Sequence, residues 1–113
     1  MIKGPNAAQS GLAAASTTLA VSAHNVANTL TRGFEPQKVA PAELAGGGVT
    51  VSISREARKL EERTDELPSG TDLVAETGAR IGAAAAYRAN LKTIEATDDV
   101  TGVVVRLTES TEK

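Results

Sequence analysis

SGLAAASTTLAVSAHNVANTLTRGF, Ser10 to Phe34, decides the fold of this chain together with a second stretch, TDLVAETGARIGAAAAYRANLKTIEATDDVTGVVVRL, Thr71 to Leu107. Both are rich in Ala, the strongest helix former. In the first, Leu12, Leu19 and Val26 recur every seven residues, with Ala15, Ser16, Ser22 and Ala23 between them. That is a thin heptad seam, narrower than the apolar stripe of a globular helix. In the second, a seam steps by three and four residues through Leu73, Thr77, Ile81, Ala84, Tyr87, Leu91, Ile94, Asp98, Thr101 and Val105. Neither segment can bury its stripe alone. They need each other or further copies of the chain, which marks an assembly subunit ahead of an enzyme.

Working outward, the first helix is expected to begin near Pro5 and Asn6, since Pro fits a first turn and Asn can cap. The stretch from Thr29 to Gly33 ends it, with Gly33 placed for a left-handed cap, Phe34 able to fold back on the last turn, and Pro36 blocking continuation. Thr71 reads as the N-cap of the second helix, with Asp72 and Glu76 near the positive end of its dipole. Continuous from Asp72 to Leu107, that helix would span about 54 Å at ~1.5 Å per residue, longer than a compact domain of this size needs. A rod-like or filamentous setting suits it.

The middle changes character. Pro36 and Pro41 bound a poor strand over Gln37 to Ala40, and Gly46, Gly47 and Gly48 make a turn. Val49, Val51 and Ile53 then alternate with Thr50, Ser52 and Ser54, the pattern of a half-buried strand. A small β-hairpin or an irregular segment is expected, followed at Arg55 to Glu66 by a solvated loop or helical turn dense in both charges. The chain therefore reads as mainly α: an N-terminal helical segment (1–34), a short β or loop segment (35–70), and a C-terminal helix with a polar tail from Thr108 (71–113), the two helices forming one discontinuous domain.

Composition agrees. The chain has 113 residues, of which 2% are aromatic, so Ala, Val and Leu must do the packing. Gly78, Gly82 and Gly102 inside the second helical pattern cost about 1 kcal/mol each relative to Ala, and an isolated monomer should be marginal. The net charge of −2 and the absence of a basic patch give no reason to expect nucleic acid or an acidic membrane surface as partner. Having no Cys, the chain lacks disulfides and any Cys-based metal site or nucleophile. The start MIKGPNAAQSG has no apolar h-region for a cleaved signal, and no stretch reaches the ~20 apolar residues of a membrane span.

Individual residues carry two readings each. Asn25 and Asn28 share a helical face and could bond across subunits, where a buried amide fixes register, or could simply help to end the helix. His24, the single His, offers no metal site within one chain and no adjacent nucleophile, and is expected in solvent or at an interface. Ala83 to Ala86 are helix filler, or small residues that admit a neighbouring helix beside Tyr87. Asp98 and Asp99 point about 100° apart and do not converge on a ligand. Gly46 to Gly48 lack the following Lys-Ser or Lys-Thr of a phosphate loop. No catalytic residue, cofactor site or metal site is indicated.

The two end segments resemble the bacterial flagellar axial proteins of rod, hook and hook-associated type. Ser10, Gly11, Leu12, Ala14, Leu19, Val21, Ser22, Asn25, Val26, Ala27, Asn28, Thr31, Gly33 and Phe34 fall on the family's N-terminal pattern, close to SGL-x-AA-x-x-x-L-x-V-x-[AS]-NN-[IV]-AN-x-x-T-x-GF. Asp72, Leu73, Glu76, Ile81, Ala83, Ala86, Tyr87, Ala89, Asn90, Lys92, Ile94 and Asp98 fall on its C-terminal one. His24 stands where the family has the first Asn of its NN pair, and Arg32 where it has Pro.

The resemblance implies terminal helices paired as an antiparallel coiled coil, stacking into a tube around an export channel. It implies export through the flagellar type III apparatus without a cleaved signal, and a place in the periplasmic rod of the basal body. Partners would be copies of the chain, other axial subunits and the export apparatus, with no nucleic acid and no membrane insertion. The short middle suits a proximal rod subunit. On this view Leu12, Leu19, Asn25, Val26, Asn28, Gly33, Phe34, Leu73, Ile81, Ala86, Tyr87, Asn90, Leu91 and Ile94 form the assembly interface. The alternative is a divergent rod-like paralogue that regulates assembly or binds an export partner in the cytoplasm.

Overall fold

A computed structural model describes residues 4–54 and 67–111. Helix α1 runs Gly4–Ala27, strands β1 and β2 are Val39–Glu43 and Val49–Ile53, and helix α2 runs Leu73–Thr111. The molecule is mainly helical, with α1 and α2 packed side by side and a two-stranded antiparallel hairpin resting on α1, chiefly through β2. Its longest dimension is 77 Å, most of it α2, whose 39 residues extend about 58 Å at ~1.5 Å each. No helix among the described residues is long and apolar enough to cross a membrane. The charged stretch Arg55 to Glu66 lies outside the described residues.

Asn25 meets Glu76 and Gly11 meets Asn90, so the helices run antiparallel with one constant offset. That offset sets Gly4, where α1 begins, opposite position 97 of α2. Everything beyond, residues 97–111, is helix about 22 Å long that no other element among the described residues accompanies. The polar stretch from Thr108 stays part of it. Helix continues through Thr111, with Thr108 and Thr111 donating back to Val105 and Leu107 carbonyls.

The seam differs from the expected one. Buried positions on α1 are Ala8, Ala15, Val21, Ser22 and Asn25, and on α2 Ala83. With Gly11 and Thr18 the true contact line is Ala8, Gly11, Ala15, Thr18, Ser22 and Asn25, itself a heptad, lying one residue before Leu12, Leu19 and Val26, which flank it half-buried. On α2, Glu76, Ala83 and Asn90 face α1, while Leu73, Ile81, Tyr87 and Leu91 are exposed, Ile81 at 67%. The reason is steric. A Cβ on Gly11 would lie 2.6 Å from Asn90 Nδ2, a separation that only Gly permits, and large side chains cannot enter a seam that tight.

Helix ends also differ in detail. Asp72, not Thr71, caps α2: its Oδ1 accepts from the backbone N–H groups of Val74 (2.9 Å) and Ala75 (3.2 Å). Thr71 Oγ1 instead donates to the Asn25 carbonyl at 3.1 Å. Helix α1 stops at Ala27 and a succession of turns leads to Gly33, whose φ of 69° is the left-handed conformation expected there. Phe34 does fold back, its ring meeting His24 edge-on at 5.5 Å.

In the hairpin, Val39 pairs with Ile53 and Glu43 with Val49, so β1 starts later than expected and runs through Pro41. Ser54 N donates to Lys38 O and Leu44 N to Gly48 O. Those bonds place Pro41, opposite Val51, at a non-hydrogen-bonded pair, where its missing N–H breaks no rung. Gly47 and Gly48 close the turn at φ 87° and 112°.

Candidate assembly interface

Three joints position the two ends of the chain. The first is a polar knot at Asn25, which is 1% exposed. Its Nδ2 donates to Gln37 O (2.9 Å) and Glu76 Oε1 (2.7 Å), while its Oδ1 accepts from Gln37 N (2.8 Å). The amide thus acts as a short strand partner for the chain entering β1 and ties that chain to α2. Ser22 Oγ adds a bond to Glu76 O at 3.3 Å. Among the described residues no buried side-chain nitrogen or oxygen lacks a partner.

The second joint is the close approach of Gly11 and Asn90, whose Nδ2 is turned back to Ala86 O at 2.8 Å. The third is Ser10, whose Oγ donates to Ala7 O (2.8 Å) and accepts from Val49 N (3.0 Å), clipping the start of β2 to α1. Gly48 is needed beside it. A Cβ there would come within 2.6 Å of Ser10 Oγ, on a φ of 112°.

Because the hairpin is pinned at both ends, it overhangs the helix pair and leaves a groove of about 440 Å³. Val39, Pro41, Val49 and Val51 form one wall. Ala79, Gly82, Ala83 and Ala86 of α2 form the other, with Ala14, Ala15 and Thr18 of α1 between. Among the described residues, none that lines it is charged. A second concavity, about 430 Å³, lies where Leu19 meets Ile81 and Ala84, rimmed by Arg80 and Arg88.

The residues expected at an interface therefore divide. Asn25 and Asn28 part company: Asn25 has its hydrogen bonds within the chain rather than across subunits, whereas Asn28 Nδ2 bonds His24 O and its Oδ1 accepts from Thr31 Oγ1, finishing α1. Gly33 and Phe34 shape the turn after α1, and Gly33 N donates to Leu67 O at 2.7 Å. Leu12, Val26 and Ile94 are half-buried beside the seam. Leu73, Ile81, Tyr87 and Leu91 face outward, Ala86 lines the groove, and Asn90 sits in the joint with Gly11.

Ser10, Gly11, Ser22, Glu76 and Thr71 form joints to which the apolar spacing does not point. Their heptad partners Ala8, Ala15 and Thr18 carried the available signal, a run of small residues at seam spacing. Among the described residues, no three His, Asp or Glu side chains converge as metal ligands would. No protein-family model and no curated protein matches the chain.

Proposed function

We propose that this chain is a structural subunit of the bacterial flagellar basal-body rod, exported without a cleaved signal and assembled in the periplasm through its terminal helices. One observation carries the proposal: residues on which the axial-protein resemblance rests are also the residues that join the two ends. Ser10 clips the hairpin, Gly11 admits Asn90, and Ser22 and Asn25 hold Glu76. A motif conserving those positions would conserve a helix pair of fixed offset, which a repeating tube requires of every copy.

The outward side fits the same role. Leu73, Ile81, Tyr87 and Leu91 are left uncovered by the chain's own packing, and their burial would fall to neighbouring copies and other axial subunits. Such a subunit transmits torque by packing and performs no catalysis. Electron microscopy of basal bodies from a deletion strain tests this: rods should be missing or truncated and motility lost. Intact rods with normal motility would refute it. Secretion tests the location, since the chain should leave the cytoplasm only when the flagellar export gate is intact. Retention in the cytoplasm of a strain with a working gate would favour an assembly regulator.

A further inference from the structure

We propose that the overhanging end of α2, residues 97–111, docks head to tail into the groove between hairpin and helix pair of a second copy of this chain. The inference rests on the assembly reading and adds its register.

The overhang has the pattern of a groove-bound helix. Val100, Val103, Val104 and Leu107 occupy positions i, i+3, i+4 and i+7 and are between 50% and 60% exposed. At ~100° per residue, Asp98, Asp99, Arg106 and Glu109 all fall about 90° or more from the centre of that stripe. An uncharged stripe thus faces outward, and among the described residues the groove it would enter is also lined by no charge. The lengths agree. The α2 wall from Ala79 to Asn90 is about 16 Å long and the stripe from Val100 to Leu107 about 10 Å.

Gly82 gives a separate reason. It lies in the groove wall inside a helix, where Gly is disfavoured, yet a Cβ at that position would meet nothing within 4 Å. Gly11 and Gly48 are required by the chain's own packing; Gly82 is not. Gly78 has the same open surroundings, but Gly82 alone of the two lines the groove, where the missing side chain leaves room for a helix from outside. That occupant cannot be the same chain's overhang, which continues the very helix that forms the wall.

Half the surface of a ~10 Å-wide helix over the ~16 Å of the wall is roughly 250 Å², or about 500 Å² counting both partners. Stable pairs bury at least ~1,200 Å². A single contact is therefore weak, and because groove and overhang are different patches it propagates into a chain of copies instead of closing a dimer.

The absence of Cys makes disulfide trapping clean. Ala86→Cys and Val104→Cys chains, mixed in equal amounts under mild oxidation, should give the mixed disulfide in excess over either homodimer. Adding Gly82→Leu to the Ala86→Cys chain fills the groove and should reduce the mixed product to the level of the unmixed controls, with far-UV helicity unchanged or higher. Persistence of the mixed product in that variant would overturn the groove as the site. If Val104→Cys alone cross-links as readily as the mixture while sedimentation shows self-association, the overhangs pair with each other, and the proposal fails with the assembly reading intact. A chain that stays monomeric at every concentration and traps no disulfide overturns both.

Discussion

Asn25→Ala is the substitution that tests the polar knot. It removes two hydrogen bonds with the Gln37 backbone and one to the Glu76 carboxylate, all from a side chain 1% exposed. A neutral hydrogen bond contributes ~1 kcal/mol net and one to a charged group ~2 kcal/mol, which sets the gross loss near 4 kcal/mol. Gln37 and Glu76 are themselves half-buried, so water replaces part of what the amide supplied. The expected destabilisation is about 2–3 kcal/mol, or a Tm lower by roughly 10 °C for a chain of this size.

Far-UV circular dichroism melts of wild type, Asn25→Ala and Asn28→Ala at one protein concentration provide the assay, with an excluded osmolyte added to support a marginal fold. Asn28 bonds only to its own helix end, and its replacement should cost less than about 1 kcal/mol. Asn25→Asp keeps shape and acceptor but turns a second carboxylate toward Glu76, and should be at least as damaging as Ala at neutral pH. Equal shifts for Asn25→Ala and Asn28→Ala, or a loss below about 0.5 kcal/mol for Asn25→Ala, would refute the claim that this amide holds the ends together.

Three further outcomes are expected. Gly48→Ala forces a side chain onto a φ of 112° and against Ser10 Oγ, and should weaken hairpin docking by ~1–3 kcal/mol, read as faster hydrogen exchange at the Val49 amide. Gly78→Ala, with open space around it, should stabilise α2 by about 1 kcal/mol, whereas Gly11→Ala should destabilise the helix pair despite the same gain in propensity, both measured by thermal melts. The dilute chain should show low helicity that rises with protein concentration; high helicity with a sharp melt independent of concentration would contradict this.

The two helices, the hairpin and the turn at Gly33 were legible because Ala content, β-branched alternation and Gly or Pro punctuation act locally. Register and facing were not. The apolar spacing points to a seam through Leu12, Leu19, Ile81 and Leu91. The contact line instead passes through Ala8, Gly11, Ala15, Ser22 and Ala83. The same spacing was present in the sequence, but size concealed it. Pro41 marks the edge of a strand by sequence because a proline removes a donor; it lies inside β1 because that donor would have pointed away from the partner strand. Thr71 and Asp72 were both capable caps, and the choice fell to Asp72 once Thr71 was drawn to the Asn25 carbonyl.

The inverted facing of the helices bears on how such a subunit can be specific without being stable. Close contact through small residues buries little apolar area: the fully buried hydrophobic residues among those described are Ala8, Ala15, Val21 and Ala83. Area of that kind cannot select one offset over another, since sliding an Ala seam by a heptad loses little. Hydrogen bonds can, because a seven-residue slip would carry Glu76 away from both the Asn25 amide and the Ser22 hydroxyl. The chain thus fixes its internal register by polar geometry and leaves its larger apolar side chains outside, where their burial depends on neighbouring copies. Replacing Asn25 and Glu76 by apolar residues would on this account raise the stability of the monomer only at the loss of a unique offset, and a tube cannot be built from copies that differ in offset.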